Sequence, residues 1–175
     1  MSRADLLALT TDDLVVLANR GIVKRAQREA QDGAGLDVAE SADGTVTVTA
    51  ADATTTLAPG VRLEDARCTC DSAGLCRHVV RAVLAYQAVA SDAQSAAGEP
   101  VAWDPGAIAD DVLEGALRRG VLTRARARAR DGVALTLVRA VKPVAKVHDD
   151  DVIVRFLVPG DLAYARCSCT AAAPC

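Results

Sequence analysis

Six cysteines and two histidines are the side chains of this 175-residue chain best able to do chemistry, and they are not scattered. Cys68, Cys70, Cys76 and His78 fall within eleven residues, ordered Cys-x-Cys, a five-residue gap, then Cys-x-His. Divalent zinc takes four thiolate or imidazole ligands as a tetrahedron, with Zn–S near ~2.3 Å and Zn–N near ~2.0–2.1 Å. Such bonds hold neighbouring sulfurs roughly 3.7 Å apart, so the segment has to fold back on itself. Asp71, Ser72 and Gly74 are suited to that turn, because Gly tolerates positive φ and Asp and Ser bond to nearby backbone. A set of disulfides is the competing chemistry. It is disfavoured by the strain of bridging two cysteines one residue apart. The chain also opens without a secretory signal pattern, and disulfides would leave His78 unexplained.

The same thiolate spacing recurs at Cys167, Cys169 and Cys175, each 99 positions beyond its counterpart. The correspondence extends upstream at that offset. Arg67 matches Arg166, Asp32-Gly33 matches Asp131-Gly132, and Gly21 matches Gly120. Register kept over about 55 residues marks a tandem duplication. The second copy's histidine would fall two residues past Cys175. The expectation is a fragment cut just before that ligand, and the alternative is a natural end with an incomplete finger. Three thiolates with an open fourth position superficially resemble a catalytic zinc site, but the first copy shows what belongs in the gap.

Elements must position these ligands. Val79, Val80, Val83, Leu84 and Gln87 share one face of a helix over residues 76–90, which puts Cys76 and His78 in its first turn. An extended arm over residues 63–70 carries the first two thiols. Upstream, Thr11 or Asp12 can cap a short helix reaching Asn19. A second helix spans residues 22–31. A β region follows: a strand over residues 36–40, a turn at Ala42-Asp43-Gly44, an alternating strand over residues 45–49, and another over 54–57. In the second copy, residues 106–119 read as a helix and residues 133–141 and 151–158 as β, with Asp149-Asp150 near a turn. His148 stands apart as a surface histidine. The expected class is α+β: two tandem repeats, each a helical pair and a small antiparallel β region ending in a metal-binding finger. Residues 1–90 form the first repeat, 91–105 a linker, and 106–175 the second. Trp103, inside that linker, is expected to pack onto a neighbouring domain.

The ligand order, with an extended arm before it and a helix after it, resembles the SWIM-type zinc finger. The resemblance covers residues 62–90 and, incompletely, 161–175. It implies a ββα arrangement and one Zn2+ per complete finger. Ligands would be Cys68, Cys70, Cys76 and His78, repeated by Cys167, Cys169 and Cys175. It also suggests contact with DNA or with other proteins, and it implies no reaction.

Composition narrows the partners. Hydrophobic residues are 51% of the chain but aromatics only 2%, so the core is Val, Leu and Ala. Such a core buries less area per residue, which makes a metal staple valuable. The net charge of −3 argues against a globally basic nucleic-acid coat and leaves room for a local basic patch. The one dense basic cluster is Arg118, Arg119, Arg124, Arg126, Arg128 and Arg130. Ala/Arg alternation suits a strand, yet Ala favours helix, and the matching segment of the first copy does not alternate. On a helix, Arg124 and Arg128 share one side. They are candidate phosphate contacts or, alternatively, a solvated face balanced by acids. Phosphate-loop, nucleophile-elbow and His-Glu-x-x-His motifs are absent, so no enzyme is expected. No run of eighteen apolar residues predicts a membrane span, and a cytoplasmic location is expected. The function expected is a structural zinc-binding interaction protein that serves DNA or protein within a larger system. The alternative is a protein–protein adaptor without nucleic-acid contact.

Overall fold

The computed structural model describes residues 3–32, 35–93, 102–171 and 175. It divides into two compact units, Met1–Gly98 and Glu99–Cys175.

The first unit opens with three helices, α1 (Ala4–Ala8), α2 (Thr11–Leu17) and α3 (Arg20–Gln31). Thr10 starts α2 with a reciprocal cap: its hydroxyl accepts the Asp13 N–H, and the Asp13 carboxylate accepts the Thr10 N–H at 2.7 Å. Asn19 caps α3 at positive φ, with its side chain accepting from the Ile22 N–H. The sheet is a meander of β1 (Asp37–Glu40), β2 (Val46–Thr49), β3 (Thr54–Leu57) and β4 (Arg67–Cys68), antiparallel throughout. Asp43 and Gly44 build the β1–β2 turn as expected: the Asp43 carboxylate accepts the Thr45 N–H at 2.9 Å, and Gly44 takes φ of 81°.

The long helix α4 (Arg77–Ala93) organises this unit, packing on α1, α3 and strands β1 to β3. Val79, Val80, Ala82, Val83 and Tyr86 are buried, against Val46, Val48 and Leu57 of the sheet. Cross-strand pairing puts Val46 opposite Leu57 and Val48 opposite Thr55, so one sheet face carries the whole contact. Gln87 secures α1, donating to the carbonyls of Leu6 and Leu9 at 2.7 and 2.8 Å. Arg3 is buried, donating to the Leu57 carbonyl and pairing with Asp5.

The second unit contains α5 (Asp110–Ala116), α6 (Arg119–Asp131) and a meander of β5 (Leu135–Val138), β6 (Val144–Val147), β7 (Val152–Phe156) and β8 (Ala165–Cys167). Its strand order and antiparallel pairing are those of the first sheet. Leu122, Pro143, Leu157, Val158 and Tyr164 form its buried centre.

Several boundaries differ from expectation. The arm into Cys68 is not extended throughout: Leu63–Asp65 is a 3-10 turn that buries Leu63 before β4 begins. The helix expected over residues 106–119 is a 3-10 turn at Pro105–Ala107 followed by the shorter α5. Strand β6 was not anticipated, because Pro143 and Lys142 interrupt the apolar pattern just ahead of it. At one end of the expected linker α4 continues to Ala93. At the other, Trp103 belongs to the second unit itself. Its indole N–H donates to the Val141 carbonyl at 3.1 Å, and its ring meets Phe156 edge-on with centroids 5.7 Å apart. The rest of the expected linker, residues 94–101, lies outside the described residues.

Candidate metal centre

Strand β4 and the first turn of α4 converge at the end of the first sheet. The Cys76 carbonyl accepts the Val80 N–H at 3.3 Å, so Cys76 stands at the helix entry and His78 in its first turn. Cys68 ends β4, opposite Thr55 of β3. The intervening loop reverses at Gly74, where φ is 74°. The result brings one ligand atom from each of Cys68, Cys70, Cys76 and His78 within 4.8 Å of all the others. Nδ1 of His78 lies 3.6 Å from Cys68 Sγ and 3.9 Å from Cys76 Sγ. Both separations are close to the roughly 3.6–3.8 Å edge of the tetrahedron that zinc bond lengths require. The donor set fits zinc in geometry and in chemistry.

The thiols are not equivalent. The backbone N–H of Ser72, and then the His78 ring, hold the Cys70 thiol down to about 6. Burial pushes Cys76 up to about 11. Thr55, buried in β3, places its hydroxyl 3.6 Å from Cys68 Sγ.

Residues between and behind the ligands hold them, and spacing did not reveal these. Thr69, the x of Cys-x-Cys, donates its N–H to the Thr54 carbonyl at 3.0 Å, and its hydroxyl accepts the Thr54 N–H at 2.9 Å. Behind the imidazole, Asp52 lies 2.9 Å from His78 Nε2 and 2.6 Å from Arg81. The bond from Arg81 holds the Asp52 carboxyl well below the usual range. Arg81 and Arg77 also reach Glu29 of α3.

The second cluster brings the Sγ atoms of Cys167, Cys169 and Cys175 within 4.8 Å of one another. Ser168 pins its Cys-x-Cys to β7 as Thr69 does in the first unit. It donates to the Ile153 carbonyl and accepts the Ile153 N–H, both at 2.9 Å. A hydrogen bond with Cys167 lowers the Cys169 thiol. His148 lies outside this cluster, exposed, with Nε2 2.8 Å from the Thr136 hydroxyl.

The arginine row is helical, as expected, from Arg119 onward and lies on α6, with Arg118 as its extended N-cap. Part of its charge is met locally. Arg126 pairs with Glu114 at 3.0 Å and Asp110 at 3.6 Å, and Arg128 pairs with Asp150 at 2.8 Å and Asp149 at 3.7 Å. Arg124 is exposed. No described helix is long and apolar enough to cross a membrane.

Comparison with known proteins agrees with the geometry. Residues 46–87 match the SWIM zinc finger family. The chain is 33% identical over 171 residues to Protein YehQ of Escherichia coli (strain K12). That alignment covers 95% of this chain and 27% of the relative, so the chain spans about a quarter of that protein's length. No solved structure matches. Strands β2 to β4, the four converging ligand atoms and the head of α4 all fall inside the matched residues. The segment from residue 46 to residue 87 is therefore a SWIM zinc finger, and the chain that carries it is a zinc-binding protein.

Proposed function

We propose that this chain is a non-catalytic, zinc-stapled protein-interaction module, built as two copies of one α+β unit and serving a larger assembly. Cys68, Cys70, Cys76 and His78 ligate one structural zinc, and Cys167, Cys169 and Cys175 form the thiolate part of a second site. One observation carries the structural assignment. The first site is closed: four protein ligands surround the centre, the imidazole is 4% exposed, and its outer nitrogen is occupied by Asp52. Catalytic zinc keeps a position for water or substrate, whereas structural zinc is enclosed by four protein ligands. Metal analysis of the purified chain should find zinc, and Cys70→Ser should abolish zinc at the first site. Unchanged zinc content in that variant would refute the ligand assignment.

A protein partner is favoured over a nucleic acid because the arginine row is partly neutralised by neighbouring acids. Arg126 and Arg128 are held by four carboxylates, and the whole chain is acidic. Phosphate binding draws on free cations that displace the counterions condensed on the nucleic acid. Arg124, exposed on the same helix side as Arg128, is the observation that supports nucleic-acid contact. Fluorescence anisotropy with a short labelled duplex at low salt decides between them. No binding is expected. Salt-sensitive binding lost on Arg124→Glu and Arg128→Glu would overturn the protein reading in favour of the nucleic-acid one.

A further inference from the structure

His78 is 4% exposed, and each ring nitrogen of a buried imidazole needs a partner. Nε2 lies 2.9 Å from Asp52 Oδ2. A carboxylate only accepts, so this contact places the ring proton on Nε2. In a neutral imidazole the lone pair is then on Nδ1, the nitrogen that faces Cys68 Sγ and Cys76 Sγ. Asp52 is itself clamped. Arg81 donates to Oδ1 at 2.6 Å and Arg77 to Oδ2 at 3.2 Å. Both arginines continue to Glu29 on α3, Arg77 at 3.0 Å and Arg81 at 3.4 Å. Arg81 is buried, at 8% exposure, so its orientation is set by packing. Asp52 sits in the β2–β3 turn, closed by the Ala50 N–H to Ala53 carbonyl bond, which points the carboxylate at the head of α4.

We propose that Asp52 is the positioning residue of the metal centre: it holds His78 as the Nε2–H tautomer and presents Nδ1 to the ion, with Arg81 and Arg77 fixing the carboxylate. This rests on the assignment of zinc to the first site. Outer partners of this kind orient a ligating histidine and raise its basicity, and losing one typically weakens metal binding about 10–100-fold. The clamp also ties the centre to α3. Ligand orientation in the finger depends on a residue that arrives from a different turn and on a helix that supplies no ligand.

A plain ion pair for Arg81 would predict general destabilisation and nothing specific to the imidazole. The test therefore compares Asp52→Ala with Asp52→Asn in the full chain. Asparagine keeps an oxygen that can accept from Nε2 but loses the charge, and it is the milder change if alanine disturbs folding. Zinc affinity is read by competition with a chromophoric chelator. The tautomer is read from long-range 1H–15N correlations of the His78 ring in the zinc-loaded protein, with His148→Gln used to assign the only other histidine. The wild-type ring should be wholly Nε2–H. Asp52→Ala should weaken zinc about 10–100-fold and give mixed tautomers. Asp52→Asn should fall between, with Nε2–H retained. Wild-type affinity and tautomer in Asp52→Ala would overturn the proposal and leave the zinc assignment intact. Equal weakening in both variants, with the tautomer unchanged, would overturn it in favour of a structural ion pair. A wild-type chain that takes up no zinc at the first site would overturn both.

Discussion

The two units share a strand order and a trio of thiols, and among the described residues their sheets are covered to different extents. In the first unit the sheet face bearing Cys68 also carries Val46, Val48, Thr55 and Leu57, each buried to 3% exposure or less beneath α4. In the second, pairing places Leu135, Leu137, Val147, Val152 and Val154 on the face bearing Cys167. Leu135 is 54% exposed, and the other four are only partly buried. No helix among the described residues packs on that sheet as α4 packs on the first. In the first unit α4 supplies both the cover of the sheet and the fourth ligand. A helix that begins just after the last cysteine delivers the imidazole in its first turn and apolar cover as far as Tyr86. Metal binding and core formation are thus coupled in the first unit.

That coupling can be broken most directly at Cys76. Cys76→Ser should lower zinc content and cost the first unit several kcal/mol, since structural zinc in isolated fingers is worth about 10–16 kcal/mol. NMR signals of Val79, Val80 and Val83 should lose dispersion. Cys169→Ser should leave both units folded. Equal collapse from both substitutions would show that the two centres matter alike, against the contrast drawn above.

Next in size is the core itself. Leu57→Ala, beneath α4, should cost about 2–5 kcal/mol by denaturant unfolding, whereas Leu135→Ala on the open face should stay within about 0.5 kcal/mol. Similar costs would mean that the second face is covered in solution.

Acidity offers a finer test. Zinc takes thiolates, so binding displaces whatever proton a thiol still holds. The Cys76 thiol, pushed up to about 11, keeps its proton at neutral pH. The Cys70 thiol, held at about 6, has mostly lost its own. First-site affinity should therefore rise with pH by at least about tenfold per unit between pH 7 and 8, roughly 1.4 kcal/mol per unit. Cys70 adds to the slope only below about pH 6. Competition titrations across that range would expose a flat profile, which would contradict the buried, protonated Cys76.

The smallest contrast lies at a helix cap. Thr10 caps α2, whereas Ala109, 99 positions on, starts α5 with no side-chain cap. Ala109→Thr should stabilise the second unit by about 0.5–1 kcal/mol, seen as a raised unfolding midpoint. No change would indicate that α5 frays independently of its cap.

Much of this was legible from residue types. The ligand quartet, helices α3 and α6, the alternating strand β2 and the Asp43-Gly44 turn all rest on short-range patterns. The arginine row was legible as helix but not as partly neutralised, because Asp149 and Asp150 reach Arg128 only across the fold. Trp103 looked like a linker residue because its partner Phe156 is 53 positions away. Thr69 and Ser168 carry no signal as the x of Cys-x-Cys, since a hydroxyl there acquires meaning only beside a neighbouring strand.

Ligand identity and order come from a contiguous stretch of chain. Zinc's demand for four soft or borderline donors makes that stretch interpretable without coordinates. The choice of Nδ1 over Nε2, the clamp of Asp52 by Arg81, and the unequal burial of two sheets with one topology arise between residues far apart in sequence. They follow from how α4 lies across the first sheet and against α3, and packing of that kind leaves no periodicity or spacing to be read in advance.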